Sequence, residues 1–285
     1  MSFVNLKSVL KNTTNNNYCI GAFNFNSFED AQGIINAATK IHSPVILMAS
    51  SSAVKYLGIK QCVGMIRGMA ESTDIPVCLH LDHSKSVELC KEAIIAGFGS
   101  VMIDASSFDY DTNVKMTKEV VDFAHQYGVS VEGEIRHVGG VEDDISVSEK
   151  DANYTSVKDA IRFSEETGID AMAVAIGTAH GFYKSEPKLD FERLSEIHEK
   201  VVPYLVLHGG TGVSDEDLQK CISCGISKIN VGTQLKKVFS DTIRERCNNL
   251  PEDVVDPRKY IENVKINIES VVLEKLNVFR SENKA

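Results

Sequence analysis

Residues 76–84, PVCLHLDHS, form an apolar run that ends in aspartate and histidine, and two later segments repeat this pattern. The later segments are AMAVAIGTAHGFY at residues 171–183 and YLVLHGGTG at residues 204–212. A short apolar run that breaks into small and polar residues is typical of a buried strand leaving its sheet. His83, His180 and His208 are therefore predicted to lie at the exits of three strands that are far apart in the sequence.

Eight apolar runs, most of them followed by an amphipathic stretch, occur along the 285 residues. The predicted strands are 19–24, 44–50, 76–81, 100–105, 129–135, 169–176, 204–208 and 228–231. Predicted helices between them include 28–41, 87–96, 113–127 and 215–224. Alternation of strand and helix indicates a parallel sheet with right-handed crossovers. Eight such units in a chain of this length predict an α/β fold, a closed (β/α)8 TIM barrel.

No linker rich in glycine, serine or proline divides the chain, so we predict one barrel domain over residues 1–285. Within it, residues 256–285 are predicted to add a C-terminal helical tail, with the helix at roughly 260–279. The acidic stretch at residues 139–154, GGVEDDISVSEKDANY, begins with two glycines. Such a long polar segment between regular elements is typical of a mobile lid over a site.

The composition excludes several classes of protein. A net charge of -10, without a block of consecutive basic residues, argues against binding to nucleic acid or to an anionic membrane. No apolar stretch reaches the ~18 residues of a membrane helix, and the N-terminus does not have the pattern of a secretory signal. The seven cysteines are odd in number and irregularly spaced. They predict free thiols in a reducing cytoplasm.

The three histidines at strand exits predict a metal site. In a barrel these exits share one rim, so His83, His180 and His208 can converge on one ion. Three neutral imidazoles around one open position are the ligand set of a catalytic zinc. His80 is three residues before His83 on the same strand, points to the opposite face and is interpreted as a core residue. Zinc can polarise a carbonyl or activate a water, and the spacing does not choose between these chemistries.

Carboxylates cluster at the same predicted rim. Asp82 precedes His83, Glu132 lies near the end of the fifth predicted strand, and Glu142 lies in the acidic stretch. Asp104 and Glu134 each end an apolar run, where a carboxylate needs a partner. A second cation or a ligand hydrogen bond would satisfy them.

Two loops of small residues predict a phosphate site. They are HGGTG at residues 208–212 and NVGT at residues 230–233, and each opens onto a predicted helix. Glycine lets backbone N–H groups approach an anion, and the dipole of a helix N-terminus favours negative charge. The loops after strands seven and eight are the usual phosphate position in barrels. Lys184 could supply a compensating charge.

These motifs together resemble the class II, zinc-dependent ketose-bisphosphate aldolases. The matching segments, between residues 79 and 260, are HLDHS, SVMIDAS, VSVEGEI, GGVEDD, AIGTAHGFY, LVLHGGTG, KINVGT and DPRKY. Nearer the N-terminus, AFNFNS and PVILMAS also fit. The segments AVAIGTAHGFY and KINVGTQLK look most like the tagatose-bisphosphate branch of the family.

The resemblance implies metal ligands and catalytic groups. The three rim histidines would bind the catalytic Zn²⁺, and Asp104 and Glu134 would serve an alternate or second divalent metal position. Asp82 would be the acid/base that handles the C4 hydroxyl during cleavage of the carbon–carbon bond. Glu142 would move a proton at C3 of dihydroxyacetone phosphate.

The resemblance also implies substrate-binding residues and partners. The residues implied to hold the triose and its phosphate are Gly181, Gly209, Gly210, Thr211, Asn230, Val231, Gly232 and Thr233. Asn24, Ser50 and Lys184 are predicted as further substrate contacts. Arg258 would reach the far phosphate from a neighbouring subunit, which implies a homodimer or homotetramer. A monovalent cation, Na⁺ or K⁺, is expected near the phosphate.

We therefore expect a cytoplasmic enzyme that cleaves a ketohexose 1,6-bisphosphate to dihydroxyacetone phosphate and glyceraldehyde 3-phosphate. Tagatose 1,6-bisphosphate is favoured and fructose 1,6-bisphosphate is next, because two segments resemble the tagatose branch and Gly232 and Gln234 replace residues typical of fructose-bisphosphate enzymes. Ser84 and Arg136 also depart from the usual residues of the family. An aldolase for another sugar phosphate and a zinc hydrolase on the same barrel stay open. A non-catalytic sugar-phosphate-binding subunit is disfavoured, since every ligand and acid/base position is retained.

Overall fold

The computed structural model describes the chain apart from residues 1, 136–138, 143–144, 148–153, 182 and 184–186, and for residues 15, 139–142 and 145–147 it describes the backbone alone. The strands in the described residues are β1 (Ile20–Asn24), β2 (Val45–Ser50), β3 (Val77–Ser84), β4 (Ser100–Ile103), β5 (Ser130–Glu134), β6 (Gly139–Glu142), β7 (Ile145–Val147), β8 (Ala171–Ala173), β9 (Ala179–His180), β10 (Tyr204–Leu207) and β11 (Ile226–Val231). The helices are α1 (Leu6–Leu10), α2 (Thr13–Asn16), α3 (Phe28–Lys40), α4 (Ser51–Leu57), α5 (Ile59–Glu71), α6 (Val87–Ala96), α7 (Tyr110–Ala124), α8 (Val157–Thr167), α9 (Phe191–Lys200), α10 (Asp215–Ser223), α11 (Thr233–Asn249) and α12 (Arg258–Val278).

Eight of the strands close into a parallel barrel in the order β1-β11-β10-β8-β5-β4-β3-β2. Helices alternate with these strands, so the predicted TIM barrel is confirmed. Strand β2 pairs with β3 from Val45 opposite Val77 to Ser50 opposite Asp82. All eight strands run in the same direction, so their C-terminal ends form one rim of the barrel.

The barrel interior is apolar at its N-terminal end and polar towards the rim. One buried cluster contains Ile20, Ile46 and Cys78 from the strands, together with Leu6 and Leu10 of α1. Helix α1 therefore closes the bottom of the barrel. Side chains two positions apart on a strand share a face. The residues two and four positions after these inward-facing strand residues therefore also face the interior.

The C-terminal tail forms a helix, as predicted, and this helix α12 packs against α3. Ser27 begins α3 with a capping box, in which its hydroxyl accepts from the backbone of Glu29 and Asp30 and the Asp30 carboxylate accepts from the Ser27 N–H. At Gly33 the two helices come so close that a Cβ would lie 2.6 Å from the carbonyl oxygen of Lys265. The close contact between the helices therefore requires glycine at position 33.

Several elements differ from their predicted bounds, and the structure shows a local reason for two of them. The helix predicted at 113–127 begins at Tyr110, because the Asp109 carboxylate accepts from the Thr112 N–H and caps it. The strand predicted at 169–176 is limited to Ala171–Ala173. Beyond it, the Ala175 N–H donates to the hydroxyl of Thr155 instead of to a neighbouring strand.

The acidic stretch predicted as a lid contains an antiparallel pair of strands, β6 and β7. Strand β6 also pairs in parallel with β9, with Gly139 opposite Ala179 and Gly140 opposite His180. The backbone of this stretch therefore lies beside the segment that carries His180. Its mobility stays a prediction.

All seven cysteines are free thiols, as predicted, and five of them are buried. None of the helices that the structure describes is long and apolar enough to cross a membrane.

The contact between α3 and α12 generates a stability prediction. Gly33→Ala should lower the free energy of unfolding by about 1–3 kcal/mol, because the added methyl group meets backbone and forces the helices apart. Gly64→Ala in α5 is the matched control, since its Cβ would meet nothing within 4 Å. Alanine is the better helix former, so that change should stabilise the protein by about 0.5–1 kcal/mol. Urea unfolding of both variants measures the difference, and equal effects of both would contradict the close approach.

Candidate functional site

The three predicted histidines meet at the rim of the barrel. The ring centroids lie 4.6 Å apart for His83 and His208, 5.1 Å apart for His83 and His180, and 5.7 Å apart for His180 and His208. Each residue offers one nitrogen, and the three nitrogens lie within 4.8 Å of one another. All three side chains are buried. This close approach is what a shared ion requires.

His83 reaches the site through an unusual backbone conformation. Its φ is +47°, in the left-handed region, and the register between β3 and β4 shifts between Leu81 and Ser84. In a regular strand, Asp82 and His83 would point to opposite faces. The irregularity lets both side chains lie at the rim, and such local strain is often found at functional sites.

Glycine brings the other two histidines together. Gly209, directly after His208, has a φ of +69°, and a Cβ there would lie 2.3 Å from the carbonyl oxygen of Ala179. Ala179 precedes His180 in β9. The two loops can therefore touch only because residue 209 has no side chain.

Carboxylates orient two of the imidazoles. His83 Nδ1 lies 3.1 Å from Asp104 Oδ2, and His208 Nε2 lies 2.8 Å from Glu132 Oε1. The opposite nitrogens, His83 Nε2 and His208 Nδ1, are buried and have no hydrogen-bond partner among the described residues. Metal-binding histidines have this pattern, with one nitrogen bound to a carboxylate and the other presented to the ion. The donor set therefore fits a divalent metal ion such as zinc.

A second group of possible ligands overlaps the first. His83, Asp104 and Glu134 also offer ligand atoms within 4.8 Å of one another, and all three residues are buried. The structure thus brings together the residues predicted for an alternate or second metal position. Their occupation by an ion stays a prediction.

Charges at the rim set the protonation of these groups. Burial would raise the pKa of Asp82, but the fields of His83, His80 and Lys228 lower it to about 2. Asn24 Nδ2 also donates to Asp82 Oδ2 at 2.9 Å. Asp82 is therefore ionised at neutral pH and is able to accept a proton.

The pKa values of the histidines at the site are shifted in opposite directions. Burial lowers the pKa of His80 to about 3 and that of His208 to about 4, so both rings are neutral at physiological pH. Burial also disfavours a charge on His83, but Asp82 and Asp104 outweigh it and raise the pKa of His83 to about 10. In the metal-free protein His83 therefore carries a proton that a metal ion has to displace.

The two predicted phosphate loops lie side by side. The Gly210 N–H donates to the carbonyl of Asn230 at 3.1 Å, and the hydroxyl of Thr211 accepts from the Gln234 N–H at 3.4 Å. Gly232 precedes α11, which begins at Thr233. The predicted glycines, Thr211, Asn230 and Val231 are thus assembled next to His208, while contact with a phosphate stays a prediction.

Several other predicted residues have partners of their own or lie outside the described residues. The Ser50 hydroxyl caps α4 and contacts Ser52. The guanidinium of Arg258 is 84% exposed and pairs with Asp256 of its own chain, so a role at a neighbouring subunit stays a prediction. Lys184, Arg136 and the side chain of Glu142 lie outside the described residues.

Sequence reasoning gave no role to Tyr183, which joins the loops of two predicted ligands. Its hydroxyl accepts from the Ala179 N–H at 2.7 Å and donates to the carbonyl of Gly209 at 2.9 Å. Burial raises the pKa of Tyr183 to about 12, so the hydroxyl keeps its proton. No sequence signal indicates this bridge, because Tyr183 and Gly209 are distant in the chain.

Sequence reasoning also gave no role to Lys228, and it gave Glu132 only a place among the rim carboxylates. The Lys228 ammonium lies 2.9 Å from Glu132 Oε2, and both side chains are completely buried. The sequence contains a signal for this pair. Glu132 and Glu134 are two positions apart on β5, and Lys228 and Asn230 are two positions apart on β11. Alternation places each pair on one face of its strand.

Comparison with known proteins identifies the family. The family model described as fructose-bisphosphate aldolase class-II matches residues 4–284. The YdjI aldolase from Escherichia coli K12 is 33% identical, with a TM-score of 0.85 and 99% of each chain covered. A candidate fructose-1,6-bisphosphate aldolase from Coccidioides immitis is 28% identical, with a TM-score of 0.89 over 98% of this chain and 97% of that chain. The fructose-bisphosphate aldolase from Campylobacter jejuni, at 22% identity and a TM-score of 0.85 over 100% of this chain and 97% of that chain, supports the fold.

The protonation of His83 predicts how metal affinity depends on pH. Because the metal-free ring is charged below a pKa of about 10, Zn²⁺ binding should release a proton. Affinity should then rise about tenfold per pH unit between about pH 6.5 and about pH 9. Competition with a fluorescent chelator at several pH values measures this slope. A dissociation constant that is independent of pH would show that His83 is neutral in the metal-free protein.

The bridge made by Tyr183 generates a second prediction for the site. Tyr183→Phe removes one hydroxyl and leaves two backbone groups without their partner, so Zn²⁺ affinity should fall about tenfold. Tyr56→Phe is the matched control, because Tyr56 is 82% exposed. Chelator competition measures the Zn²⁺ dissociation constant of both variants. Equal dissociation constants would rule out a positioning role for the Tyr183 hydroxyl.

Proposed function

The chain belongs to the class II fructose-bisphosphate aldolase family, and we propose that it reversibly cleaves a ketohexose 1,6-bisphosphate to dihydroxyacetone phosphate and glyceraldehyde 3-phosphate. As a member of this family it is an aldolase, a carbon–carbon lyase. The single observation that carries the proposal is the convergence of His83, His180 and His208 beside the ionised Asp82. The substrate is proposed to be tagatose 1,6-bisphosphate in preference to fructose 1,6-bisphosphate.

Zinc is the proposed metal, held by His83 Nε2, His180 and His208 Nδ1. The support is chemical, because two of these nitrogens are buried without a hydrogen-bond partner in the described part of the chain. When bound, zinc acts as a Lewis acid towards a substrate carbonyl. Asp104 and Glu134 are proposed to hold an alternate or second divalent ion with His83.

Asp82 is the proposed base for cleavage. Asn24 occupies its Oδ2, whereas Oδ1 is buried without a hydrogen-bond partner among the described residues. Oδ1 is therefore the oxygen offered to substrate, and we assign it the C4 hydroxyl proton that leaves as the C3–C4 bond breaks. In the direction of aldol addition the same carboxyl group returns this proton. Its low pKa keeps the carboxylate ready as a base at neutral pH.

Glu142 is the proposed proton donor at C3 of the triose product. The support comes from the family resemblance and from the backbone, because Glu142 ends β6, which pairs with β9 beside His180. A closed position of this segment would also exclude water from the site.

The phosphates are proposed to bind at the two glycine loops. Gly181, Gly209, Gly210 and Thr211 would supply one side, and residues 230–233 at the start of the 17-residue α11 would supply the other. Lys184 and a monovalent cation, Na⁺ or K⁺, would balance the charge. Asn24 and Ser50 complete the proposed substrate contacts.

The second phosphate is proposed to meet Arg258 from a neighbouring subunit, which requires a homodimer or homotetramer. The guanidinium is exposed, so a neighbour's substrate can reach it. The free thiols support the proposed cytoplasmic location, and the chain is proposed to be one barrel domain.

Sugar preference is proposed to depend on the surroundings of Asp82, because tagatose and fructose differ in configuration at C4. Ser84 follows the ligand His83, but its hydroxyl donates to the carbonyl of Ser86. Its influence is therefore indirect, through the turn after β3. Gly232 and Gln234 lie at the start of α11, on the phosphate side.

The decisive experiment measures triose phosphate release in a coupled dehydrogenase assay. Tagatose 1,6-bisphosphate, fructose 1,6-bisphosphate and a deoxy-keto sugar phosphate are compared on the same zinc-loaded protein. Exhaustive dialysis against a chelator should remove the activity, and Zn²⁺ should restore it. Cleavage of none of these sugars, or full activity after chelation, would contradict the proposal. Phosphate release without triose phosphate would instead indicate a zinc hydrolase.

Asp82→Asn tests the proposed base. It keeps the shape of the side chain and a group that can bond to Asn24 but removes the proton acceptor, so turnover should fall about 10²–10⁴-fold on the preferred bisphosphate. Zinc content should stay unchanged, because Asp82 is not among the proposed ligands. Glu88→Gln, at an exposed position of α6, is the control and should leave turnover unaltered. Wild-type turnover in Asp82→Asn would show that another group accepts the proton.

A further inference from the structure

Lys228 is a completely buried lysine in the interior of the barrel. It lies in β11, where it pairs with Ile20 of β1 and Val206 of β10. Its relative exposure is 0%. Transfer of an ammonium group from water to such a place is strongly unfavourable unless the group is paired with a charge and hydrogen-bonded. A residue retained at this cost calls for a specific role.

The ammonium of Lys228 joins two side chains of the site. Nζ donates to Glu132 Oε2 at 2.9 Å and to Asn230 Oδ1 at 2.8 Å. The other oxygen of Glu132, Oε1, lies 2.8 Å from His208 Nε2. A continuous chain of hydrogen bonds therefore runs from Asn230 through Lys228 and Glu132 to His208. All four side chains are at least 95% buried.

This series of hydrogen bonds determines which nitrogen of His208 faces the other histidines. A carboxylate only accepts hydrogen bonds, so Glu132 requires the His208 proton on Nε2. The lone pair of Nδ1 is then free for a metal ion, and Nδ1 has no hydrogen-bond partner among the described residues. Because Lys228 binds the second oxygen of Glu132, it prevents the carboxylate from rotating away from His208.

The same ammonium determines the orientation of the Asn230 amide. Lysine only donates, so the amide oxygen has to face Lys228. The NH₂ group is then directed away from Lys228, as a donor at the C-terminal end of β11, beside the glycine loop that follows His208. An inverted amide would place two donors against each other.

We propose that Lys228 is a positioning residue that aligns the metal-binding nitrogen of His208 and the substrate-binding amide of Asn230 through one ammonium group. The assignment to zinc and to a ketose bisphosphate rests on the proposed function, whereas the orientation of the two side chains does not. Lys228 touches neither ion nor substrate in this proposal. It couples the two halves of the site, so its loss should disturb metal binding and substrate binding together.

The test compares Lys228→Met, which keeps side-chain length but removes the donors, with Lys228→Met combined with Glu132→Gln. The double variant removes both charges of the pair and keeps the protein folded if the unpaired carboxylate destabilises the single variant. Lys275→Met is the matched control, because Lys275 is also buried but pairs with Asp215 outside the barrel interior.

Three measurements are made on each variant. Side-chain ¹⁵N shifts of histidine-labelled, zinc-free protein report the tautomer of His208. Chelator competition gives the Zn²⁺ dissociation constant, and the coupled assay gives KM for the preferred bisphosphate. Both Lys228 variants should show a mixture of His208 tautomers, Zn²⁺ binding weakened about 10–100-fold and a KM raised about tenfold. Lys275→Met should lower thermal stability alone.

Wild-type tautomer and Zn²⁺ affinity in Lys228→Met would overturn the proposal. Full recovery of both in the double variant would also overturn it, since Lys228 would then only neutralise Glu132. If the wild-type protein binds no Zn²⁺ or cleaves no bisphosphate, the proposed function fails, while the His208 tautomer still decides the role of Lys228.

Discussion

The hydrogen bond between His208 and Glu132 is the interaction on which the rest of the site depends. Burial of a carboxylate inside a barrel is unfavourable unless each oxygen has a partner. Glu132 meets this condition with His208 on one oxygen and Lys228 on the other. The arrangement leaves one nitrogen of His208 without a hydrogen-bond partner among the described residues and places it near the other two imidazoles. A metal-binding geometry therefore follows from the requirement that buried polar groups be satisfied.

Close backbone approach is the second constraint at the rim. Gly209 allows its loop to touch β9, and the Tyr183 hydroxyl joins the two segments. His180 and His208 are thus held by short loops that are fixed to each other. Precise placement of ligands on such loops needs this support, since loops alone are less rigid than strands. Strand β6 adds to the same unit through its pairing with β9.

The proposed base and the proposed proton donor lie on different parts of the fold. Asp82 is fixed on a barrel strand, next to His83 and bonded to Asn24. Glu142 belongs to the small sheet outside the barrel. This separation agrees with the proposed mechanism, in which the two proton transfers occur at different times.

The amino-acid sequence by itself determined the barrel, the strand ends that carry His83, His180 and His208, and the glycine loops, because hydrophobic periodicity and turn residues act locally. Only the tertiary structure decided which groups touch. The left-handed φ that turns His83 to the rim depends on the β3–β4 register. The pairing of Glu132 with Lys228 joins strands 96 residues apart. Such contacts are set by the closure and stagger of the whole barrel, whereas a local pattern gives only the strand face on which each residue lies.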